Sequence, residues 1–252
     1  MEQIQNNRVI TDLYRENAQF PGIALDGSDV YLCWQRFVDR HDSLMASCRR
    51  GDEVVWEREI SDGGEVLHPV ILAHGGAIWY AWSEYARENW RILARCYRDG
   101  QWGEVLTVAS GEALFFPRLF TWQGKLHVIW TEQHKGSAAA VLCPLTEAGP
   151  GAAETVSAVG EAYRAGAAEG GDGNLYVAYD GFDGKQYKLF ARARTAAGWS
   201  EEIVVSQGED WASTPWIAAK PDGAVVGWYD YGYMAVYSVR SADLTVRDGA
   251  LA

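Results

Sequence analysis

At 252 residues the chain is long for one domain, yet all-β propellers and barrels reach this size as a single unit, and 48% hydrophobic residues with 12 Trp, 13 Tyr and 7 Phe suffice for a large core. Against 34 Asp and Glu stand only 22 Lys and Arg, and the net charge of −12 repels phosphate backbones and anionic lipid, which excludes nucleic acid and membranes as expected partners. The opening residues, MEQIQNNRVITDLYREN, form no basic and apolar leader, and no run of about 18 apolar residues follows, so a cytoplasmic location is expected.

In chain order, Arg8-Val9-Ile10-Thr11 reads as a short strand, and FPGIALDGSDVYLCWQR (20–36) opens the first of several related units. The second and third, HPVILAHGGAIWYAWSE (68–84) and FPRLFTWQGKLHVIWTE (116–132), align with it without a gap, so Pro21, Pro69 and Pro117 stand 48 apart. Inside the second unit an apolar strand led by Pro69 meets a turn at Gly75-Gly76, and the strand Ile78–Trp82 follows. A polar loop, a third strand Arg91–Tyr97, a turn at Asp99-Gly100 and a fourth strand Gln101–Val108 complete it. YRAGAAEGGDGNLYVAYD (163–180) repeats the pattern with Arg164 in place of the proline, and TPWIAAKPDGAVVGWYD (214–230) restores it.

The anchors Trp34, Trp82, Trp130, Tyr179 and Trp228 are spaced 48, 48, 49 and 49 residues apart, a period that belongs to propeller blades. Ala152–Ala168, the most helix-like stretch in composition, has glycines and no 3.6-residue apolar period, and reads as blade edge and loop. The expected fold is therefore all-β, a five-bladed β-propeller of four-stranded antiparallel blades forming a single domain over 1–252. Its units run over about 19–66, 67–114, 115–161, 162–212 and 213–252. The fifth unit runs out of strands before its fourth. Pairing residues 8–11 into the last blade would close the ring and remove the exposed edge, with Leu244–Arg247 as the alternative closing strand. Cys33, Cys48, Cys96 and Cys143 form no CxxC pair, and the last three share one repeat position, so all are expected to be buried thiols.

The run Pro-x-[Ile/Leu]-x3-Gly-x2-[Ile/Leu]-x3-Trp-x-Glu of units two and three, with Asp99-Gly100-Gln101-Trp102 and Gly198-Trp199-Ser200, resembles the bacterial-neuraminidase-type repeats of sialidase-like propellers over most of the chain. That resemblance implies blade architecture. It does not extend to sialidase activity, because Asp99 lacks the Ser or Thr two residues before it. In addition, Gln19, Leu67, Phe115 and Ser213 stand where the family carries an arginine of its carboxylate clamp. Five-bladed propellers of other families include lectins and arabinan-cleaving glycosidases, so the fold analogy leaves both binding and catalysis open.

In such a fold the loops entering the inner strands, and those between second and third strands, share one face. The entry loops supply Glu16, Glu65, Glu112, Glu161 and Asp210, and the second set supplies Asp39, Glu84, Glu132, Asp180 and Asp230. Beside them stand Tyr14, Phe20, Phe115, Phe116, Tyr163, Trp211 and Trp216. Aromatic faces stack on the C–H faces of sugars while acids accept from hydroxyls, so Phe116, Tyr163, Trp211, Trp216, Glu112 and Asp210 are ligand-binding candidates.

Arg118 and Arg164 on inner strands and His68 before Pro69 join them, each arginine calling for an acid partner such as Glu161 or Glu169, or for an anionic ligand. Glu84, Glu132 and Asp230, just after the anchors, are read as acceptors for backbone N–H groups of the next turn. No acid lies in the first turn of an inner strand, where the arabinan-cleaving propellers place theirs, and no HxxxH or HxH pair exists, so no metal and no cofactor is expected. The function expected is a non-catalytic, lectin-like propeller that binds a glycan or small polar ligand. A glycoside hydrolase using paired carboxylates and a protein-interaction scaffold are the alternatives.

Overall fold

The computed structural model describes residues 17–252 apart from 62, 159 and 233–236, and the backbone alone of Tyr237. The expected strand at residues 8–11 therefore lies outside the described residues, as do Tyr14 and Glu16. Every described element is a β-strand.

The first sheet is β1 (Asn17–Asp26), β2 (Asp29–Val38), β3 (His41–Arg50) and β4 (Glu53–Glu59), paired in that order. The second is β5 (Glu65–His74), β6 (Ala77–Ala86) and β7 (Asn89–Arg98), with β8 (Gln101–Trp102) and β9 (Leu106–Gly111) both on β7. The expected fourth strand over Gln101–Val108 is thus split in two. Gly103 lies at the break, with its N–H on the Cys96 carbonyl at 2.9 Å and a Cβ there only 2.8 Å from Cys96 Sγ.

The third sheet repeats the plan with β10 (Ala113–Trp122), β11 (Lys125–His134), β12 (Ser137–Thr146), β13 (Gly149–Pro150) and β14 (Glu154–Thr155). The fourth does so with β15 (Ala162–Glu169), β16 (Leu175–Phe182), β17 (Tyr187–Thr195), β18 (Gly198–Trp199) and β19 (Ile203–Val204). The fifth has β20 (Trp211–Lys220), β21 (Gly223–Tyr231) and β22 (Tyr237–Leu244). Beyond it β23 (Val246–Arg247) and β24 (Ala250–Leu251) pair with each other, so Val246–Arg247 does not add a fourth strand to that sheet. Among the described residues no strand joins the fifth sheet to the first.

The core lies between sheets. Tyr31, Leu44 and Cys48 of the first pack on Val66, Tyr80 and Trp82 of the second, and Phe120, Ile129 and Leu142 of the third pack on Val177, Tyr179 and Phe190 of the fourth. All four cysteines are buried free thiols, as the sequence leads one to expect.

Each inner strand carries the same irregularity. In every sheet two inner-strand residues oppose one anchor: Phe20 and Pro21 opposite Trp34, His68 and Pro69 opposite Trp82, Phe116 and Pro117 opposite Trp130, Arg164 and Ala165 opposite Tyr179, Thr214 and Pro215 opposite Trp228. A bulge leaves one residue out of the hydrogen-bond ladder, which is where a proline, having no N–H to donate, fits inside a sheet. The recurring proline is therefore a bulge marker. In the fourth unit Ala165 holds that place, and Arg164 stands one residue earlier, at the position of His68 and Phe116.

Candidate functional site

The first residue of each bulge has a positive φ: Phe20 at 51°, His68 at 54°, Phe116 at 55°, Arg164 at 38° and Thr214 at 55°. Non-glycine residues adopt this conformation at a cost of order 1 kcal/mol, and five at one repeat position amount to a built feature. Its effect is to turn five side chains out of the alternation of the strands and toward a common space. All five line one cavity of about 560 Å³, together with Ile23, Val70, Ile71, Arg118 and Leu119.

Around this ring the aromatic contacts run in sequence. Phe20 meets His68 edge-on at 5.0 Å between centroids, His68 meets Phe116 at 4.2 Å, and the Arg164 guanidinium lies 6.0 Å from the centre of the Phe116 ring. His68 Nδ1 is buried with no hydrogen-bond partner among the described residues, and burial, helped by the charge of Arg118, pushes the imidazole down to about 4, so it is neutral at neutral pH.

On the side of the ring toward the strand starts, a second hollow of about 350 Å³ opens between Leu67, Phe115, Tyr163, Gln133 and Tyr187, with His68, Phe116 and Arg164 as its floor. Its aromatic wall continues outward through Tyr163 to Tyr187 at 6.1 Å and from Tyr187 to Trp211 at 5.5 Å. Tyr163 and Trp211 are thus linked through Tyr187, a residue the repeat pattern did not single out. It begins β17 as Trp90 lies near the start of β7, and Trp90 packs on Phe115 at 4.6 Å. An aromatic at the start of the third strand is the signal that would have found both.

Three other candidates line neither the ring cavity nor this hollow. Trp216 is 43% exposed and stacks edge-on against Tyr229 at 4.7 Å, and it does not line the ring cavity. Glu112 is exposed, with His134 Nδ1 at 3.1 Å, and shares a hollow of about 240 Å³ with Tyr163 and Gln133. Asp210 is exposed beside Trp211.

The acids after the anchors are drawn inward. Asp180 is fully buried and takes a bidentate ion pair from Arg164, with Nε at 3.1 and 3.0 Å from its two oxygens. Asp180, and not Glu161 or Glu169, is therefore the partner of Arg164. Burial holds the Asp180 carboxyl above its usual range. For Arg164 burial works downward, but the bonds to Asp180 outweigh it and leave the guanidinium raised.

Glu84, also fully buried, accepts from the Trp82 indole N–H at 3.3 Å and from Arg91, and Asp230 accepts from the Trp228 indole at 2.7 Å and from Arg240 at 3.1 Å. The backbone acceptor role expected of these acids is thus replaced: the donors to Glu84 and Asp230 are indoles and arginines of the same sheet, and Glu132 has no donor among the described residues. Gly64 makes the burial of Glu84 feasible, since a Cβ there would sit 2.4 Å from Glu84 Cγ. Arg118, by contrast, has no hydrogen-bond or ion-pair partner among the described residues. Among those residues, too, no group of His, Cys, Asp and Glu is placed to hold a metal.

No family model matches the chain, and no curated protein matches it in sequence. Solved structures do resemble it in fold. An α-L-arabinofuranosidase from Fusarium graminearum superposes with a TM-score of 0.63 at 14% identity, over 91% of this chain and 81% of that one. A thermostable family-43 glycoside hydrolase gives 0.53 at 11% identity, over 94% and 92%. A puromycin-hydrolyzing peptidase of Mycobacterium tuberculosis gives 0.59 at 17% identity, over 94% of this chain and 36% of that one. At such identities the likeness is one of fold: the chain has the all-β, propeller-like architecture of glycosidase-type structures, built from successive antiparallel sheets.

Proposed function

We propose that the chain is a five-bladed propeller, sialidase-like in its repeats, that binds a glycan or small polar ligand in the hollow above the bulge ring without hydrolysing it. The observation that carries this reading is the lining of the hollow. Four aromatic rings, Phe115, Phe116, Tyr163 and Tyr187, stand beside the polar ends of Gln133 and Arg164, and no carboxylate is among the lining residues. Rings with a few convergent polar groups suit a sugar, and about 350 Å³ lies within the range of small-ligand sites. Glycoside hydrolysis needs two carboxyl groups facing each other across the bond. Asp180, the acid nearest in register, is tied to Arg164, and the five bulge residues hold no acid.

A glycan array with the purified protein tests the reading. Tyr163→Ala is expected to weaken any hit by about 1 to 3 kcal/mol, the cost of truncating an aromatic hot spot. The second reading, a glycoside hydrolase, is favoured by what the structural neighbours are named for, an arabinofuranosidase among them. Release of sugar from arabinan or a sialoside, abolished by Glu112→Gln or Asp210→Asn in a protein that remains folded, would replace binding by catalysis.

A further inference from the structure

The ring cavity on the other side of the bulges plays no part in the hollow above it, although the two share His68, Phe116 and Arg164. Arg118 lies two residues past its bulge, on β10. The same register place is held by Gly22, Val70, Gly166 and Trp216 in the other inner strands, so Arg118 is the one charged side chain of the set. It is open to the cavity, yet enough protein surrounds it that burial pushes its pKa below the ordinary value.

Nothing described on the cavity wall balances that charge. Ile23, Val70, Ile71 and Leu119 are apolar, and the charge of Arg164 is already matched by Asp180. In an otherwise acidic chain of net charge −12, the described wall of this chamber thus holds a guanidinium and no acid to balance it. An anion that meets such a charge inside a cavity is screened by less water than at an open surface, which strengthens the meeting. A guanidinium presents two parallel N–H donors that match the two oxygens of a carboxylate or phosphate.

We propose that this cavity is a binding site for a small oxyanion-bearing molecule, a carboxylate or a phosphate, anchored by Arg118. About 560 Å³ accommodates a ligand of one or two rings. The acidic exterior repels polyanions, which restricts the site to small anions. This assignment goes beyond the glycan reading of the hollow and does not need it.

Titration calorimetry of the full chain at low ionic strength, with inorganic phosphate, glucuronate, glucose 6-phosphate and glucose as separate probes, tests it. At least one anion is expected to bind with Kd of about 1 mM or tighter while glucose does not. Binding of the phosphates but not glucuronate assigns a phosphate head, and the reverse assigns a carboxylate. Arg118→Met is expected to weaken that binding at least about tenfold, with Arg118→Lys falling between because it keeps the charge and loses the fork. The Met variant is expected to melt within about 2 °C of the parent, since no described partner is left unpaired by the change. Absence of any anion binding up to about 10 mM, or equal binding by the Met variant, overturns the proposal. So does a fall in Tm of more than about 5 °C, which would make Arg118 a structural residue. Tyr163→Ala separates the two sites: anion affinity unchanged in a variant that has lost its glycan hit supports two sites, and loss of both overturns the assignment of a separate one.

Discussion

The second and third sheets align residue for residue at a spacing of 48, and they differ where it matters. Trp82 and Trp130 are both fully buried opposite their bulges. Glu84 and Glu132 follow each at the same distance, but only Glu84 is engaged. Its cross-strand neighbour is Arg91, whereas the matching neighbour of Glu132 is Ala139, and the Trp130 indole N–H is buried without a partner among the described residues. At the bulge His68 is matched by Phe116, and two residues on Val70 is matched by Arg118. The anchor tryptophan is therefore constant between the two units, while the bulge residue, the residue two places on and the neighbour of the following acid differ. In a repeat protein that divergence points to the places where a single copy has been put to use.

The largest effect tests the constant part. Trp82→Ala and Trp130→Ala are each expected to lower stability by about 3 to 5 kcal/mol, read from chemical denaturation, because each leaves a cavity between two packed sheets. A loss below about 1 kcal/mol at either site would break the equivalence of the two units.

Much of this was legible in the sequence for one reason: a repeat of fixed length prints the same physical demand several times over. The proline and the anchor aromatic recur because every inner strand bulges opposite a buried ring, and that double signal revealed the sheets and their order. In the fourth unit the signal is displaced by one residue, since Ala165 replaces the proline and the charged Arg164 precedes it. The candidate site was legible in part. Phe116, Tyr163, Arg164 and His68 do come together, because all lie within two residues of a bulge. Tyr187 and Gln133 carry no such signal, since they reach the hollow from neighbouring strands whose proximity only the folded sheet reveals. The partners of Glu84 and Asp230 were missed for the same reason, as strand register decides which arginine lies opposite which acid.

A smaller effect sharpens the contrast between the acids. Glu84→Gln keeps the shape and removes the charge facing Arg91 in a fully buried place, and is expected to cost about 2 kcal/mol. Glu132→Gln is expected to change stability by less than about 0.5 kcal/mol, as a half-buried acid with no described partner. Ala139→Arg, which rebuilds the arrangement of the second sheet in the third, is expected to return at most about 1 kcal/mol, and only while Glu132 is present. Equal costs for the two Gln variants would show that the indole and arginine bonds of Glu84 contribute nothing that Glu132 lacks.

The smallest effect concerns the bulge position and is read against pH. His68 has its folded pKa pushed down to about 4 by burial and by Arg118, below the unfolded value of about 6.5. The unfolded chain therefore takes up the proton first as pH falls, so the contribution of His68 to stability is intact above about pH 6.5 and is lost progressively toward pH 4. His68→Phe, which gives the second unit the residue of the third and can keep ring contacts with Phe20 and Phe116, removes that term. The parent is expected to lose about 1 kcal/mol more than the variant between pH 6.5 and 4, a figure reduced from the full shift because the side chain is only half-buried. Other titrating groups are common to both proteins and cancel in the difference. Parallel stability curves for the two would mean that the imidazole reaches water freely, and that the ring of bulge residues is looser at His68 than its contacts of 4.2 and 5.0 Å describe.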